Sequence, residues 1–169
     1  MEISVTSIKE LRDKTSAGVM ECKRALQQAE GNVDRASDIL REQGLARAEK
    51  KADRVASQGL VEVYVHGGGR IGSMVELNCE TDFVAHTDEF KALVHDLALQ
   101  IAATDPRFIS SADVPDGEKE KLNPEEVCLL SQPFIRDPGR RISDIVADVS
   151  AKMGEKVAVR RFARFELGK

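Results

Sequence analysis

The feature that most constrains the fold lies at residues 59–85, where two runs of alternating apolar and polar residues flank a glycine-rich turn. In the first run Val61, Val63 and Val65 alternate with polar or aromatic neighbours, and the second run repeats this period of two over residues 71–79. Because three consecutive glycines separate the runs, the stretch predicts a β-hairpin. One face of this hairpin is apolar, and we expect that face to lie against helices.

A short polar segment with one aromatic residue, Thr81-Asp82-Phe83-Val84, follows the second predicted strand. It precedes a helix that Thr87 can cap, so we expect the segment to lie at the surface. The residues alone leave two interpretations of the aromatic side chain open. It packs back into the core, which composition slightly favours, or it is an exposed anchor flanked by an acid, the kind of group that carries protein–protein binding energy.

The helix that Thr87 caps has the clearest apolar stripe in the chain. The stripe consists of Phe90, Leu93, Val94, Leu97, Ala98 and Ile101. Since these residues recur at helical spacing, they mark one buried face, and we expect this helix to cover the sheet.

The C-terminal part predicts two further helices and a third strand. We expect a short helix over residues 124–131, an extended path over 132–135 and a turn at 137–139, because prolines punctuate this part of the chain. A second apolar-striped helix then ends at Gly154. Alternation over residues 156–167 predicts a strand, antiparallel by preference.

The N-terminal residues 1–46 predict a module of three short helices. Ser4 can cap the first helix, Gly31 ends the second, Asn32 caps the third, and Gly44 stands just past the end of the third. So small a module buries little apolar surface and would be marginally stable alone.

Residues 47–58, rich in alanine, arginine and lysine, predict a linker between this module and a core domain at 59–169. The order is three helices, two strands, three helices and a last strand. This order is typical of an α+β fold in which helices cover one face of a small antiparallel three-stranded sheet.

Charge, hydropathy and cysteine content exclude several classes of protein. The net charge of -4 argues against a general nucleic-acid binder. No apolar run approaches the roughly 20 residues of a membrane helix, and the start lacks the features of a signal peptide. Three widely spaced cysteines, Cys22, Cys79 and Cys128, form no disulfide framework, so we expect a reducing cytoplasm.

The sequence contains no pattern that predicts catalysis or metal binding. Gly67-x-Gly69-x-x-Gly72 matches the dinucleotide-binding string, but a strand and not a helix follows it. Metal-ligand spacings are missing, and we expect no metal and no cofactor. Cys79 and His86 form a candidate thiol–base pair, but the apolar face of the strand predicts a buried and inert thiol, so we do not expect an enzyme.

Basic residues leave one alternative function open. Arg160, Arg161 and Arg164 on the last strand, with the basic linker, would suit an RNA- or ribosome-binding module. The simpler explanations are protection of an edge strand and a solvated linker face.

Three stretches of the chain resemble the elongation factor Ts family of bacterial translation factors. Residues 11–26, LRDKTSAGVMECKRAL, are similar to the N-terminal signature of the family, and residues 76–85, ELNCETDFVA, to its second signature. Residues 131–135 and 160–162 are similar to its C-terminal part. The resemblance implies a guanine-nucleotide exchange factor that binds the GTPase EF-Tu in its GDP-bound and nucleotide-free forms.

The same resemblance implies two contact regions for EF-Tu. The N-terminal module, ubiquitin-associated-like (UBA-like) in the family, would dock on the G domain through the matching residues Arg12, Met20 and Lys23. The second region would intrude beside the nucleotide site. Its matching residues are Thr81, Asp82, Phe83 and Val84.

The chain departs from the family pattern in two respects. Ser16 stands where the family usually has glycine, within the turn before Met20. The chain also has no room for the second core half and the protruding helical hairpin of longer members. It therefore resembles the short bacterial form, which implies a homodimer whose second copy supplies the missing half.

Overall fold

The structure of the protein is a computed structural model that describes residues 3–15, 17–50 and 53–169, with the backbone alone over residues 44–50. The prediction about Ser16 lies outside the described residues. No helix within these ranges is long and apolar enough to cross a membrane.

Three helices form the N-terminal module: α1 (Val5–Thr15), α2 (Val19–Gln28) and α3 (Val33–Lys50). The two predicted N-caps act as the sequence predicts: the Ser4 hydroxyl accepts from the Ser7 amide at 3.0 Å, and the Asn32 side-chain oxygen accepts from the Arg35 amide at 2.9 Å. The helices share a small apolar core made of Leu11, Cys22, Ala25, Leu26, Ala29 and Ala36. The prediction of three helices is therefore confirmed.

The third helix is longer than its sequence predicts. We expected it to end before Gly44, but α3 continues to Lys50 and includes the first residues of the predicted linker. A glycine inside a helix costs only about 1 kcal/mol relative to alanine. The alanine, arginine, glutamate and lysine residues that follow Gly44 have high helix propensity, which offsets this cost.

The sheet has three antiparallel strands, β1 (Gln58–His66), β2 (Ile71–Cys79) and β5 (Ala158–Glu166), in the order β1-β2-β5. The hairpin turn contains three glycines in succession with φ between 61° and 91°, a conformation in which other residues are strained. Both the predicted hairpin and the predicted third strand are confirmed.

Helices cover one face of this sheet. They are α5 (Asp88–Thr104) and α7 (Ile142–Met153), and α7 ends at Gly154 with a left-handed φ of 73°, as predicted. Val75, Leu77 and Cys79 of β2 are fully buried beneath them. The core of the domain therefore lies between β2 and α5.

The opposite sheet face is exposed and mostly apolar, with the Glu76–Arg161 ion pair among its apolar side chains, which corrects one prediction. We expected the valines of β1 to lie against helices, but Val63 lies opposite Met74, whereas Tyr64 lies opposite the buried Ser73. Directly opposed residues share a face, so the valines project away from the helices. We call this surface the open sheet face. Its members Val61, Val63, Val65, Met74 and Phe165 are between 49% and 76% exposed.

Two details between α5 and α7 differ from prediction. The expected helix over 124–131 is divided into α6 (Pro124–Val127) and a 3₁₀ turn (Leu129–Ser131), because Cys128 forms a bridge with Phe108 in an extended conformation.

The expected turn at 137–139 belongs to a strand instead. β3 (Pro133–Phe134) and β4 (Asp137–Arg141) form a small hairpin. The buried amide of Gln100 accepts from the backbone N–H of Ile135 at 3.0 Å and donates to the Pro133 carbonyl at 3.2 Å. This contact fixes β3 against the core, so the chain reverses earlier than the sequence predicts.

Candidate functional site

The segment after β2 forms a four-residue helix, α4 (Asp82–Ala85), that points one aromatic side chain into solvent. Phe83 is 82% exposed, whereas its neighbours Val84 and Ala85 are 4% and 2% exposed and belong to the core. The core-packing interpretation of Phe83 is therefore wrong. The buried pair anchors the segment, and the aromatic ring is left free to contact another molecule.

Local hydrogen bonds define the start of α4. The Thr81 hydroxyl accepts from the Val84 amide at 3.5 Å, as an N-cap residue does. The thiol of Cys79 donates to the Thr81 carbonyl at 3.1 Å. At the other end, the Thr87 hydroxyl donates to the Val84 carbonyl at 2.8 Å and caps α5 by accepting from the Phe90 amide.

Asp82 is exposed beside Phe83, and its polar partner is His86. The Nδ1 atom of His86 lies 3.2 Å from the Asp82 carboxylate and 2.8 Å from its carbonyl oxygen. The two acceptors hold the imidazole along the outer side of α4. An acid and an aromatic ring therefore stand together at the surface, as the exposed-anchor interpretation requires.

Distant residues also hold the segment, and sequence patterns did not point to them. The Glu155 carboxylate, which follows α7, accepts hydrogen bonds from the Glu80 and Thr81 amides and from the Thr81 hydroxyl. Residues this far apart become neighbours only when β5 pairs with β2. No local periodicity or motif could have indicated such a contact.

The predicted docking residues of the N-terminal module are also at the surface. Met20 is 60% exposed near the start of α2, and both Arg12 and Lys23 are exposed. They lie on α1 and α2, whereas the second predicted group lies on α4. None of the described hydrogen bonds or ion pairs joins the two groups.

The C-terminal end of α7 lies beside the turn between α1 and α2 and beside the start of α5. Lys152 lines a cleft together with Gly18 and Glu21 of the module. Its amino group also pairs with the Glu89 carboxylate at 2.5 Å, at the start of α5. Glu155, just past this helix end, accepts from Thr81, so the turn between α1 and α2 and the segment that bears Phe83 both lie near the end of α7.

The structure gives no support to thiol chemistry at Cys79. Burial, with the nearby Glu155 carboxylate as a lesser cause, raises the pKa of the Cys79 thiol to about 11. A protonated thiol is a poor nucleophile. The His86 ring is directed to Asp82 and not to the thiol.

Among the described residues, no group of three or more histidine, cysteine or acidic side chains is placed to hold a metal ion.

The arginines that suggested RNA binding are partly engaged within the protein. Arg161 pairs with the Glu76 carboxylate at 2.7 Å. Arg164 is buried to a large extent, pairs with Glu166 at 2.8 Å and donates to the Ala102 carbonyl at 3.0 Å. These contacts favour a structural role for the two side chains.

Comparison with known proteins identifies relatives along nearly the whole chain. The sequence profile described as Elongation factor TS matches residues 5–125. Elongation factor Ts of Desulfitobacterium hafniense is 49% identical over 195 residues, which cover 99% of this chain and 90% of the relative. The protein of the same name from Caldanaerobacter subterraneus subsp. tengcongensis is 48% identical, over 98% of this chain and 97% of the relative.

A third relative, Elongation factor Ts of Thermoanaerobacter sp. strain X514, is 49% identical over 98% of this chain and 95% of its own length. Its alignment extends over 194 residues and this chain has 169, so the relative contains residues that this chain lacks. The profile match, the identity to all three relatives and the α+β architecture agree. The chain belongs to the elongation factor Ts family.

Proposed function

We propose that the protein is a guanine-nucleotide exchange factor for EF-Tu, which binds EF-Tu·GDP and promotes the release of GDP during elongation in the cytoplasm. Membership of the family supports this proposal. The observation that carries it is Phe83, an aromatic side chain 82% exposed on a segment whose next two residues are buried. In this proposal the protein acts by binding alone, and no covalent step is required of its residues.

Two surfaces share the binding. Arg12, Met20 and Lys23 of the N-terminal module dock on the G domain of EF-Tu. Asp82 and Phe83 enter beside the nucleotide site and disturb the groups that hold magnesium and phosphate. The exposure of all five side chains supports this assignment. Thr81 caps the intruding helix and the buried Val84 anchors it, so these two belong to the site through the backbone.

The energetics require both surfaces. The factor must bind nucleotide-free EF-Tu better than the GDP-bound form, and by reciprocity it then weakens GDP binding by the same factor. A shift on the order of 10⁴ in affinity needs about 5.5 kcal/mol of differential binding. One buried aromatic side chain supplies only about 1.5–3 kcal/mol. Phe83 therefore cannot act alone, and the module must contribute the rest.

The open sheet face supports a second part of the proposal, a homodimer. Its exposed apolar side chains, Val63, Met74 and Phe165 among them, lie on one continuous side of β1, β2 and β5. A cluster of this kind on a protein surface marks an interaction site. The proposed occupant is a second copy of this chain, because the resemblance to the short form of the family implies a homodimer and a twofold axis would set the same face against itself.

Release of labelled GDP from a bacterial EF-Tu tests the exchange function. With unlabelled GDP in excess, rising concentrations of the protein accelerate release until the rate saturates. In the reverse measurement, GDP weakens the complex between the protein and EF-Tu by the same factor. An unchanged release rate at every concentration would contradict the proposal. Tight RNA binding with a steep salt dependence would favour the ribosome-binding alternative.

A further inference from the structure

A carboxylate from the C-terminal part of the chain holds the backbone that precedes Phe83. Glu155 lies between Gly154, the C-cap residue of α7, and the start of β5. Its Oε2 atom accepts from the amides of Glu80 at 3.1 Å and of Thr81 at 2.9 Å. Its Oε1 atom accepts from the Thr81 hydroxyl at 2.5 Å. Three donors from the end of β2 therefore converge on one side chain.

The Thr81 hydroxyl connects that carboxylate to α4. A hydroxyl has one proton to donate and lone pairs to accept with. Because the Thr81 hydroxyl donates its hydrogen bond to Glu155, a lone pair on the same oxygen is left to accept from the Val84 amide, 3.5 Å away. A helix of four residues has too few internal hydrogen bonds to persist without such support. The carboxylate therefore contributes to the direction of α4, together with the buried Val84 and Ala85 and the hydrogen bonds of Cys79 and Thr87.

A second carboxylate makes the reverse connection. The Glu80 Oε1 atom accepts from the Lys156 amide at 2.5 Å and from the Arg54 guanidinium at 3.4 Å. The end of β2 and the start of β5 are thus joined by two acidic side chains that each cap the backbone of the other strand. We call this arrangement the Glu80–Glu155 clasp.

The ring of Phe83 has little other support. Its side chain lies in solvent, so its direction follows from the backbone of α4 and not from side-chain packing. Val84 and Ala85 fix the inner side of α4. The clasp holds the backbone of Glu80 and Thr81, which immediately precedes α4. Removal of the clasp would leave α4 attached but free to change its angle.

We propose that Glu155 is a positioning residue for nucleotide exchange, which holds Phe83 in the orientation that enters EF-Tu. This inference rests on the proposed exchange function. Without the carboxylate, only a fraction of the molecules presents the ring correctly. The apparent affinity of the protein for nucleotide-free EF-Tu is then the intrinsic affinity multiplied by that fraction.

The substitution Glu155→Gln tests the proposal with almost no change in volume. Glutamine offers one acceptor oxygen and one donor NH₂ group, so it cannot accept from both backbone amides and the hydroxyl together. We expect GDP release at a fixed, subsaturating concentration to slow about tenfold. The matched control is Glu125→Gln, which removes a carboxylate bound to Arg141 at 2.7 Å on the exposed α6 and is expected to leave release unchanged.

A double-mutant cycle separates positioning from a general structural role. If Glu155 acts through the aromatic ring, Glu155→Gln slows release in the wild-type background and adds nothing in a Phe83→Ala background. An equal loss in both backgrounds would overturn the proposal, and so would full activity of Glu155→Gln. An unchanged rate for Phe83→Ala alone would instead refute the role of the ring on which this inference depends, whereas a wild-type protein that fails to accelerate GDP release would refute the proposed exchange function.

A second variant keeps the test decisive if Glu155→Gln does not fold, as judged by circular dichroism at the assay temperature. Thr81→Val removes only the hydroxyl between Glu155 and Val84 and preserves the shape of the residue. The proposal expects slower release by Thr81→Val, again with no further loss in the Phe83→Ala background. Wild-type release by Thr81→Val, or a loss that persists without Phe83, would count against it.

Discussion

Phe83→Ala removes an aromatic ring without creating a cavity. The side chain is 82% exposed, so most of its surface already meets water in the free protein. Exposed substitutions of this kind usually change the free energy of unfolding by no more than about 0.5 kcal/mol. We therefore expect the variant to fold normally, with a melting temperature close to that of the wild type.

The effect on exchange should be much larger than the effect on folding. Because most of the ring is accessible, its burial against a partner can contribute nearly the full value of a phenylalanine side chain, about 1.5–3 kcal/mol. Each 1.4 kcal/mol corresponds to a factor of ten, so GDP release at subsaturating protein should slow by about 10- to 150-fold. The variant should retain residual activity, since the N-terminal module remains.

Stopped-flow release of fluorescent GDP from EF-Tu measures this effect, and thermal unfolding followed by circular dichroism measures stability. Leu167→Ala is the matched control, because Leu167 is 72% exposed and lies beyond the end of β5, away from α4. Wild-type release by Phe83→Ala would refute the reasoning. So would a melting temperature lowered by more than about 4 °C, which in a protein of this size means at least ~1 kcal/mol of lost packing.

Three further predictions concern other parts of the protein. Deletion of residues 1–50 abolishes stable binding to EF-Tu in a pull-down titration, because it removes the docking module. Val63→Lys with Met74→Lys converts the proposed dimer to a monomer in light scattering, since it places charges on the open sheet face. Urea unfolding shows a loss of stability between pH 9 and 11 that is smaller in Cys79→Ala. The folded thiol, with its pKa raised to about 11, keeps a proton that the unfolded chain releases earlier.

Each of these predictions has a clear contrary result. Unchanged affinity after the deletion would remove the docking role of the module. A dimer that persists with two lysines on the open sheet face would place the interface elsewhere. The same pH dependence in wild type and in Cys79→Ala would show that other groups account for the loss at high pH.

Much of the fold followed from local patterns in the sequence. The period of two on each side of three glycines predicted the hairpin, and the stripe that begins at Phe90 predicted the covering helix α5. Caps at Ser4, Thr87 and Gly154 predicted helix ends because capping involves only neighbouring residues. These features depend on interactions within a few positions of the chain.

Features that depend on distant residues could not be predicted in this way. The alternation in β1 identified two faces, but which face meets α5 depends on the register that sets Val63 opposite Met74. The exposure of Phe83 was left open by composition, and it follows from the burial of Val84 and Ala85. The contact of Glu155 with Thr81 requires the complete sheet.

The strand order has a consequence for the order in which the parts of the protein can form during synthesis. The contacts within the N-terminal module join neighbouring helices, so these helices can begin to pack as soon as they leave the ribosome, before α7 is made to support them. The sheet cannot be completed at that stage, because β5 pairs with the central strand β2 and is made long after it. A nascent chain would therefore bring the helices of the proposed docking module together while α4 still lacked its clasp, and the proposed capacity to bind would begin to form before the proposed capacity to exchange.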